Sequence, residues 1–420
     1  MSHPAPRACG IDFGTSNSTV ACMRAGAATL LPLEDGRITL PSVVFFNAED
    51  DRTRFGRAGL NDYLAGYEGR LMRSLKSLLG SSLIDGSTEV NGRALKFREL
   101  LQQFIAELRR RATQENGGDF EHVVIGRPVF FVDDDPVADK QAENTLAEIA
   151  RAVGFRDISF QYEPIAAAFH YETTISDEQL VLVADIGGGT SDFSVIRLSP
   201  ARAQHIDRQA DLLANGGVHV GGTDFDRLLS LDSVMPLLGY RSRLKSSLEM
   251  PSNIFFNLAT WHTINSAYTR QVYAEQRELS LEAQEPDKVA RLLTLIDKRA
   301  GHWLANEVEL GKIALSDQEC ATLRLDYLQA GLAQGITRRD FDAATEPLVG
   351  RVETTVNALL RDAGIAADAI DTILFTGGSS GIPRLRERIA ALLPQARAVE
   401  CDPFGSIGAG LAVEAARRYR

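Results

Sequence analysis

The sequence predicts an α/β protein with two similar lobes, and three observations predict it. Short apolar strands alternate with amphipathic helices along most of the chain. Two glycine-rich turns share one pattern, GIDFGTSNSTV at residues 10–20 and ADIGGGTSDFSV at residues 184–195. A helix lined with small residues follows each turn much later, EPIAAAF at 163–169 and PFGSIGAGLAV at 403–413. An internal duplication, with one glycine hairpin per lobe, explains this repetition.

Hydrophobic periodicity and turn residues justify the individual elements in order. The pattern predicts a helix over residues 93–116, which Gly117 and Gly118 end. The other predicted elements are strand–turn–strand at 9–24, a strand at 42–46, a strand at 122–126, a helix at 141–155, a strand at 158–162, a helix at 163–172, a strand–glycine turn–strand at 181–198, a helical region at 230–300, strand–glycine turn–helix at 371–394 and a last helix at 404–418.

Composition excludes several classes of protein. The 420 residues carry a formal net charge of -11, so we expect no nucleic-acid partner and no anionic membrane partner. The four cysteines lie far apart without CxxC spacing, which indicates reduced thiols rather than a disulfide framework or a zinc site. The N-terminus has no apolar signal core, and no run of eighteen apolar residues occurs. We therefore expect a cytoplasmic protein.

The two glycine turns are suited to binding phosphate. Glycine permits positive φ and close approach, so successive backbone N–H groups can surround an anion, and the Thr and Ser hydroxyls add donors. Asp12, Asp185 and Asp192 would repel that anion unless a cation lay between, and a few hard oxygen ligands beside phosphates suit Mg²⁺. The alternative is that DIGGGTSD is only a type I′ hairpin between two strands. Two copies with matching carboxylates favour a Mg-nucleotide held between two lobes.

The motifs together resemble the nucleotide-binding domain of DnaK-type heat-shock chaperones, in the actin/hexokinase-like ATPase superfamily. The two hairpins resemble the phosphate motifs of that superfamily. Further segments with the family's pattern are LKSLLG at 75–80, YEPIAAAFHY at 162–171, GGVHVGGTDFD at 216–226, ELGKIALS at 309–316, TGGSSGIPRLRERI at 376–389 and DPFGSIGAGLAV at 402–413. The resemblance covers nearly the whole chain. It implies a two-lobed actin-like ATPase fold with duplicated ribonuclease-H-like lobes and a central nucleotide cleft.

The resemblance also implies roles for individual residues. It implies Mg²⁺ near Asp12 and Asp185, and it places Lys76, Glu163, Thr190 and Asp192 in catalysis. Lys76 would stabilise charge on the γ-phosphate, while Glu163 or Asp192 would position water or accept its proton. Residues expected to bind ATP or ADP are Asp12, Gly14, Thr15, Ser16, Asn17, Gly187, Gly188, Gly189, Thr190, Gly221, Gly222, Glu309, Lys312, Ser316, Gly377, Gly378, Ser379 and Asp402.

The chain departs from the family at two points. The family holds adenine between two arginines, whereas Ile313 and Gly381 occupy those positions here, so we expect a weaker or different base clamp. No acidic-leucine linker or peptide-binding β-sandwich follows Arg420, so we expect a standalone ATPase domain similar to the YegD-like branch. We predict lobe I at 1–178, lobe II at 179–398 with a helical subdomain at about 225–320, and a C-terminal connecting helix at 399–420.

Several functions stay open at this point. The leading hypothesis is a slow Mg²⁺-dependent ATPase whose nucleotide state controls lobe closure and a protein partner. A nucleotide-binding scaffold with negligible turnover and a small-molecule kinase of the same superfamily are the alternatives. Simpler interpretations also exist for single residues: a solvated surface lysine for Lys76, a favourable helix-start charge for Glu163, and an exposed ion pair for Glu309 and Lys312. A serine hydrolase is rejected, because no histidine follows the GGSSG segment at 377–381.

Overall fold

The structure is a computed structural model that describes residues 7–79, 81–132, 135–402 and 405–419. The strands are β1 (Ala8–Phe13), β2 (Asn17–Arg24), β3 (Ala27–Leu30), β4 (Thr39–Pro41), β5 (Val43–Asn47), β6 (Arg52–Phe55), β7 (Gly69–Arg73), β8 (Ser87–Val90), β9 (Arg93–Lys96), β10 (His122–Arg127), β11 (Asp157–Tyr162), β12 (Gln179–Ile186), β13 (Ser191–Leu198), β14 (Leu212–Val218), β15 (Cys320–Arg324), β16 (Ala333–Thr337), β17 (Thr372–Thr376) and β18 (Arg397–Glu400). The helices are α1 (Gly56–Leu64), α2 (Phe97–Asn116), α3 (Pro136–Ala152), α4 (Glu163–Glu172), α5 (Gly222–Leu229), α6 (Asn253–Ala259), α7 (Arg270–Glu282), α8 (Pro286–Asp297), α9 (Gly301–Asp317), α10 (Arg338–Asp362), α11 (Pro383–Leu392) and α12 (Ser406–Arg418).

Two sheets repeat one arrangement of strands. The first has the order β11-β10-β1-β2-β3, with β4 also paired to β2, and the second has the order β18-β17-β12-β13-β14. In each, a glycine hairpin supplies the two central antiparallel strands, β1 with β2 and β12 with β13. Parallel strands then extend the sheet beside the first hairpin strand, β10 and β11 in one sheet and β17 and β18 in the other. The predicted duplication and the α/β fold class are confirmed.

The chain forms two compact units. The first comprises the described residues of Met1–Gly217, Val356–Ser380 and Ala390–Arg420, and it holds both repeated sheets. The second comprises Val218–Thr355 and Gly381–Ile389, and it contains α5 to α9 with the β15–β16 hairpin. The functional division into 1–178, 179–398 and 399–420 stays a prediction.

Small residues allow close approach of α12 to its neighbours in the first unit. A methyl group built on Gly410 would lie 1.9 Å from the backbone oxygen of Ala166 in α4. One built on Gly10 in β1 would lie 2.5 Å from the backbone nitrogen of Ala412 in α12. The small-residue faces of α4 and α12 are therefore used for tight packing, as the sequence indicates.

Two apolar clusters pack the first unit. One joins β1, β2 and β10 to α2 and α3, through residues such as Phe13, Phe104 and Leu146. The other surrounds α4 and α12 and includes Ile165, Val183 and other buried residues of β12 and β13. Among the residues that the structure describes, no helix combines the length and apolarity needed to span a membrane.

The predicted start of α2 is wrong. The sequence prediction began the helix at residue 93, but the helix begins at Phe97, and Arg93–Lys96 forms β9 instead. Asn91 and Gly92 have φ angles of 47° and 74°, so they make the tight turn between β8 and β9. Asn-Gly between short strands is a strong hairpin signal that helical periodicity alone does not detect. The predicted end is confirmed, because Gly117 adopts the left-handed conformation with φ of 70°.

Candidate nucleotide-binding site

Two glycine turns connect the central strands of the two sheets. We call residues 14–17 the first glycine turn and residues 187–190 the second. In the second turn the Gly187 N–H donates to the Thr190 carbonyl oxygen at 2.9 Å. In the first, the Ser42 hydroxyl donates to the Gly14 oxygen at 2.6 Å, and the Ser42 N–H donates to the Ser16 oxygen at 2.9 Å. Both turns are thus held in defined conformations by hydrogen bonds.

The two turns meet within the first unit. A methyl group built on Gly188 would lie only 2.2 Å from Ser16 Oγ, so the second glycine turn directly faces the first. Thr15, Ser16 and Asn17 belong to the first turn and Gly187, Gly188, Gly189 and Thr190 to the second, so the structure brings these predicted phosphate ligands together. Backbone and hydroxyl donors from both sheets are therefore available to one anion.

The conformational reason given for these glycines is wrong. Neither Gly14 nor any of Gly187–Gly189 has a φ angle in the left-handed region, so the second turn is not a type I′ hairpin. The glycines serve close approach instead: a methyl group on Gly14 would lie 2.1 Å from the Asn17 backbone oxygen, and Gly188 must accommodate Ser16. Absence of a side chain, rather than positive φ, is what the site requires at these two positions.

Four ionisable side chains form one cluster beside the turns. Asp12 and Asp185 lie on the matching strands β1 and β12, near the turns that follow these strands. Lys76, in a 3₁₀ turn at Leu75–Leu78, donates from Nζ to Glu163 Oε1 at 2.5 Å. The Lys76 and Glu163 side chains are only 13% and 10% exposed. Lys76 is therefore not a solvated surface lysine, while Glu163 both begins α4 and faces the cluster.

Burial and neighbouring charges shift the pKa values of Asp12, Asp185 and Lys76. Burial, reinforced by the negative charges of Glu163, Asp192 and Asp12, raises the pKa of Asp185 to about 8. The pKa of Asp12 is also raised, by burial and by Glu163, with Lys76 opposing the shift. Burial alone would lower the pKa of Lys76, but the carboxylates of Glu163, Asp12 and Asp185 outweigh it and raise that pKa. The raised pKa values of both aspartates indicate that one lysine does not compensate all these carboxylates, so a further cation would favour their ionised forms.

The glycine segment after β17 packs against the second glycine turn. Gly377 has φ of 81°, and a methyl group on it would lie 2.5 Å from Asp185 Oδ1. The 3₁₀ turn Gly378–Gly381 follows, and the Ser379 hydroxyl donates to the Gly187 backbone oxygen at 2.9 Å. Gly377, Gly378 and Ser379 therefore lie next to the predicted phosphate site, and the Ser379 hydroxyl supports the turn.

Thr190 and Asp192 lie at the exposed side of the same site. Thr190 Oγ1 donates to Asp192 Oδ2 at 2.8 Å, and both residues are exposed. Asp192 is paired with Asp185 across β12 and β13, close enough for its charge to contribute to the raised pKa of Asp185. A carboxylate in this position has access to both solvent and the buried cluster.

The chain matches one known protein family over most of its length. A model of the Hsp70 protein family matches residues 8–235 and 284–417. The chain belongs to the Hsp70 family. Its repeated sheets are those of the actin-like ATPase fold on which the Hsp70 nucleotide-binding domain is built.

Individual Hsp70-family relatives match almost the whole chain. Chaperone protein HscA of Klebsiella pneumoniae (strain 342) is 29% identical over 443 aligned residues, covering 98% of this chain and 58% of the relative. The proteins of that name from Escherichia coli O17:K52:H18 and Shigella flexneri serotype 5b are 28% identical over 433 residues, with the same coverages. This chain thus spans 58% of the length of these curated relatives.

The predicted nucleoside-binding residues of this Hsp70-family chain lie mostly in the second unit. Lys312 in α9 is buried; its Nζ forms an ion pair with Asp226 Oδ1 at 2.8 Å and donates to the Gly222 oxygen at 3.1 Å. The alternative interpretation of Glu309 and Lys312 as an exposed ion pair is therefore wrong, because Lys312 is buried and paired with Asp226. Glu309 is partly buried on the same helix. Gly221 caps α5, where its N–H donates to Asp224 Oδ2 at 3.0 Å.

The two positions that depart from the family arginines are also in the second unit. Ile313 is 54% exposed on α9. Gly381 has open space around it, and a methyl group there would meet only Ser316 Oγ, at 3.9 Å. Ile313 and Ser316 lie on the same helix, and Gly381 is near Ser316 Oγ. The change of the base clamp stays a prediction.

Asp402 precedes α12 in the first unit. It is exposed, and its backbone oxygen accepts from the Ser406 N–H at 3.2 Å. A methyl group on Gly405 would lie 2.4 Å from Asp402 Oδ2, so this carboxylate folds over the start of α12. Pro403 and Phe404 of the same motif lie outside the described residues.

Two residues of the site were missed from the sequence. Ser42 is 1% exposed and holds the first glycine turn through its side chain and its backbone N–H. Gly126 lies opposite Glu163, where a methyl group would come within 3.2 Å of Glu163 Cγ. A serine after Pro41 and a glycine ending an apolar strand carry no periodic signal, because both act through contacts distant in sequence.

The cluster fits a magnesium ion that retains its waters. Within the described part of the chain, no three His, Cys, Asp or Glu side chains are close enough to ligate a metal directly. Mg²⁺ commonly binds through one or two carboxylates, several waters and substrate phosphates. Asp12 and Asp185, two carboxylates with raised pKa in one buried cluster, are suited to that role. When bound, such an ion would neutralise phosphate charge.

Proposed function

We propose that this chain is a Mg²⁺-dependent module that binds and slowly hydrolyses ATP, and that its nucleotide state controls a protein partner. The observation that carries the proposal is the meeting of the two glycine turns beside the Asp12, Lys76, Glu163 and Asp185 cluster. Phosphoryl transfer to water needs hydrogen-bond donors that hold the phosphates, carboxylates that can hold a metal ion or orient water, and a cation such as lysine. This site offers all three.

The residues have distinct roles in this proposal. The two turns bind the β- and γ-phosphates, and Asp12 and Asp185 would hold a hydrated metal ion, which would neutralise phosphate charge. An arriving γ-phosphate, as a second anion, competes with Glu163 for the Lys76 ammonium, which in the free protein donates to Glu163 Oε1 at 2.5 Å. Glu163, once released, or Asp192 is then available to orient the attacking water and accept its proton. The water oxygen bonds to the γ-phosphorus while the bond to the β-phosphate oxygen breaks, which releases ADP and phosphate.

The names of the matched relatives support a protein partner for this chain. The matched relatives are named as chaperone proteins, and this chain spans 58% of their length. We propose that the module acts on an unidentified protein by opening and closing its lobes. Its cytoplasmic location and the absence of a nucleic-acid or membrane partner stay predictions from composition.

A nucleotide-binding scaffold with negligible turnover is the second candidate. The exposed Ile313 and the unfilled Gly381 position favour it, because base stacking onto two arginines is lost. In that case Mg-ATP binding persists while phosphate release is undetectable. The kinase alternative has no comparable observation in its favour.

Calorimetry and phosphate release test the proposal together. We expect ATP and ADP to bind tightly only with Mg²⁺, and we expect GTP to bind comparably if the base clamp is altered. Asp185→Asn and Lys76→Ala are each expected to slow phosphate release by at least about a hundredfold. Asp368→Asn and Lys96→Ala, at exposed positions outside the cluster, serve as charge-matched controls with unchanged rates. Slow phosphate release that both cluster variants leave unchanged would remove the hydrolytic part of the proposal.

A further inference from the structure

The two glycine turns are held by the same kind of contact. Gly14 and Gly187 occupy equivalent positions, because each is the first residue after the first strand of its hairpin, β1 or β12. The Ser42 hydroxyl donates to the Gly14 carbonyl oxygen at 2.6 Å, and the Ser379 hydroxyl donates to the Gly187 carbonyl oxygen at 2.9 Å. Each turn thus has one serine hydroxyl on the same carbonyl oxygen.

The two serines do not come from equivalent places in the duplicated fold. Ser42 lies between β4 and β5, and β4 pairs with β2, the second strand of its hairpin. Ser379 lies in the 3₁₀ turn after β17, and β17 pairs with β12, the first strand of the other hairpin. Duplication of one ancestral contact therefore does not explain both bonds, whereas a shared requirement at this carbonyl oxygen does.

Each held carbonyl sets the direction of the next N–H group. In a planar trans peptide the C=O and the N–H point in opposite directions. The bond from Ser42 to Gly14 therefore directs the Thr15 N–H away from Ser42, and Ser379 directs the Gly188 N–H in the same way. The Thr15 N–H has no acceptor within the part of the chain that the structure describes. The hydroxyls thus determine the side on which each turn offers a donor to an anion.

The serine bonds are buried and are themselves supported. Ser18 Oγ lies 3.0 Å from Ser42 Oγ, and Ser18 is the donor, because the only hydroxyl proton of Ser42 is used on Gly14. Ser18, Ser42 and Ser379 are 0%, 1% and 7% exposed. The Ser42 N–H also donates to the Ser16 oxygen at 2.9 Å, a bond that does not need the hydroxyl. Loss of the hydroxyl therefore frees one carbonyl without disconnecting the turn.

We propose that Ser42 and Ser379 are a matched pair of positioning residues for phosphate binding. Each holds a carbonyl oxygen, which would repel an anion, away from the phosphate and presents the following N–H to it. Ser379 is thereby assigned to the second glycine turn rather than to the nucleoside. The inference rests on the proposed function, because it requires the two turns to bind phosphate.

Calorimetry of the full chain with Mg-ATP and with Mg-tripolyphosphate tests the pair. Ser42→Ala and Ser379→Ala are each expected to weaken binding of both probes about tenfold, the change expected for loss of one buried hydrogen bond. Ser87→Ala, at an exposed position in β8, is the matched control and leaves both affinities unchanged. Tripolyphosphate has no nucleoside. A loss confined to Mg-ATP in Ser379→Ala would therefore place Ser379 at the nucleoside and overturn the pair.

A merely structural role has a different signature. It would lower the urea midpoint of a variant while the folded protein keeps its affinity, so urea unfolding without nucleotide accompanies each titration. Unchanged affinities of Ser42→Ala for both probes, when the unmodified chain binds them, contradict the inference alone. Binding of Mg-ATP without Mg-tripolyphosphate by the unmodified chain also contradicts it, and binding of neither probe overturns the proposed function as well. If one variant does not fold, the other decides, because each serine acts on its own turn.

Discussion

At the scale of residues, one lysine is surrounded by three carboxylates. Lys76 lies beside Glu163, Asp12 and Asp185, and their opposing charges raise its pKa in spite of burial. Without nucleotide, this lysine is the cation that compensates the cluster. It thus has a structural role in the free protein, and in the proposed mechanism the γ-phosphate competes with Glu163 for it.

The Lys76–Glu163 pair should couple more strongly than a surface pair. A double-mutant cycle with Lys76→Met and Glu163→Gln is expected to give a coupling of about 1–3 kcal/mol, because the pair is mostly buried. The exposed pair of Lys288 and Glu285, at 2.7 Å, is the matched control and should give about 0.3 kcal/mol. Urea unfolding of the nucleotide-free variants measures both values, and equal couplings would contradict burial of the pair.

Asp185 makes the stability of the nucleotide-free protein depend on pH. Its pKa is raised from 3.8 to about 8, so the folded state binds this proton more tightly than the unfolded chain. The free energy of unfolding therefore falls as pH rises from about 4 to about 8, and the loss is complete above that range. Lowering the pH reverses the loss. The destabilisation arises because the ionised Asp185 carboxylate is buried beside other carboxylates, with no metal ion to compensate its charge.

Asp185→Asn should remove that dependence. We expect the nucleotide-free variant to be more stable than the unmodified chain at pH 8 by about 1–3 kcal/mol, with a smaller difference at pH 5. Urea unfolding at both pH values measures the difference. The exposed Asp368→Asn variant is the control and should follow the unmodified chain. A stability advantage of Asp185→Asn that grows as pH falls would show that the pKa is shifted in the opposite direction.

At the scale of elements, the site depends on how closely strands and helices approach. The glycine turns were predicted from their residues, but one of the two physical reasons was wrong, since Gly14 and Gly188 allow close approach without positive φ. The Asn91-Gly92 turn, which displaced the start of α2, shows that turn chemistry should take precedence over helical periodicity. Ser42 and Gly126 could not be found, because their contacts depend on which strands become neighbours.

The crossing of α4 and α12 gives a sharp test of close packing. Gly410→Ala should destabilise the protein by about 2–4 kcal/mol, because the added methyl group would lie 1.9 Å from the Ala166 oxygen. Gly350→Ala, within α10 and with nothing within 4 Å, is the matched control and should stabilise by about 0.5–1 kcal/mol. Urea midpoints distinguish the two, and a neutral Gly410→Ala would mean that the helices do not cross closely.

At the scale of the whole molecule, the duplication was predictable from the sequence. Matching hairpins around Asp12 and Asp185 indicated two sheets, and both sheets have the predicted central strands. The inward pairing of Lys312 with Asp226 was not predictable, since it joins residues of different helices. Pattern thus determines which elements form, while long-range contacts determine which partner each side chain meets.

The most direct measurement is a crystal structure with Mg²⁺ and a non-hydrolysable ATP analogue. The account predicts that residues 14–17 and residues 187–190 donate to one triphosphate, with the metal ion near Asp12 and Asp185 and the Lys76 ammonium moved from Glu163 toward the γ-phosphate. A triphosphate bound elsewhere, or contacted by only one of the two glycine turns, would contradict the account.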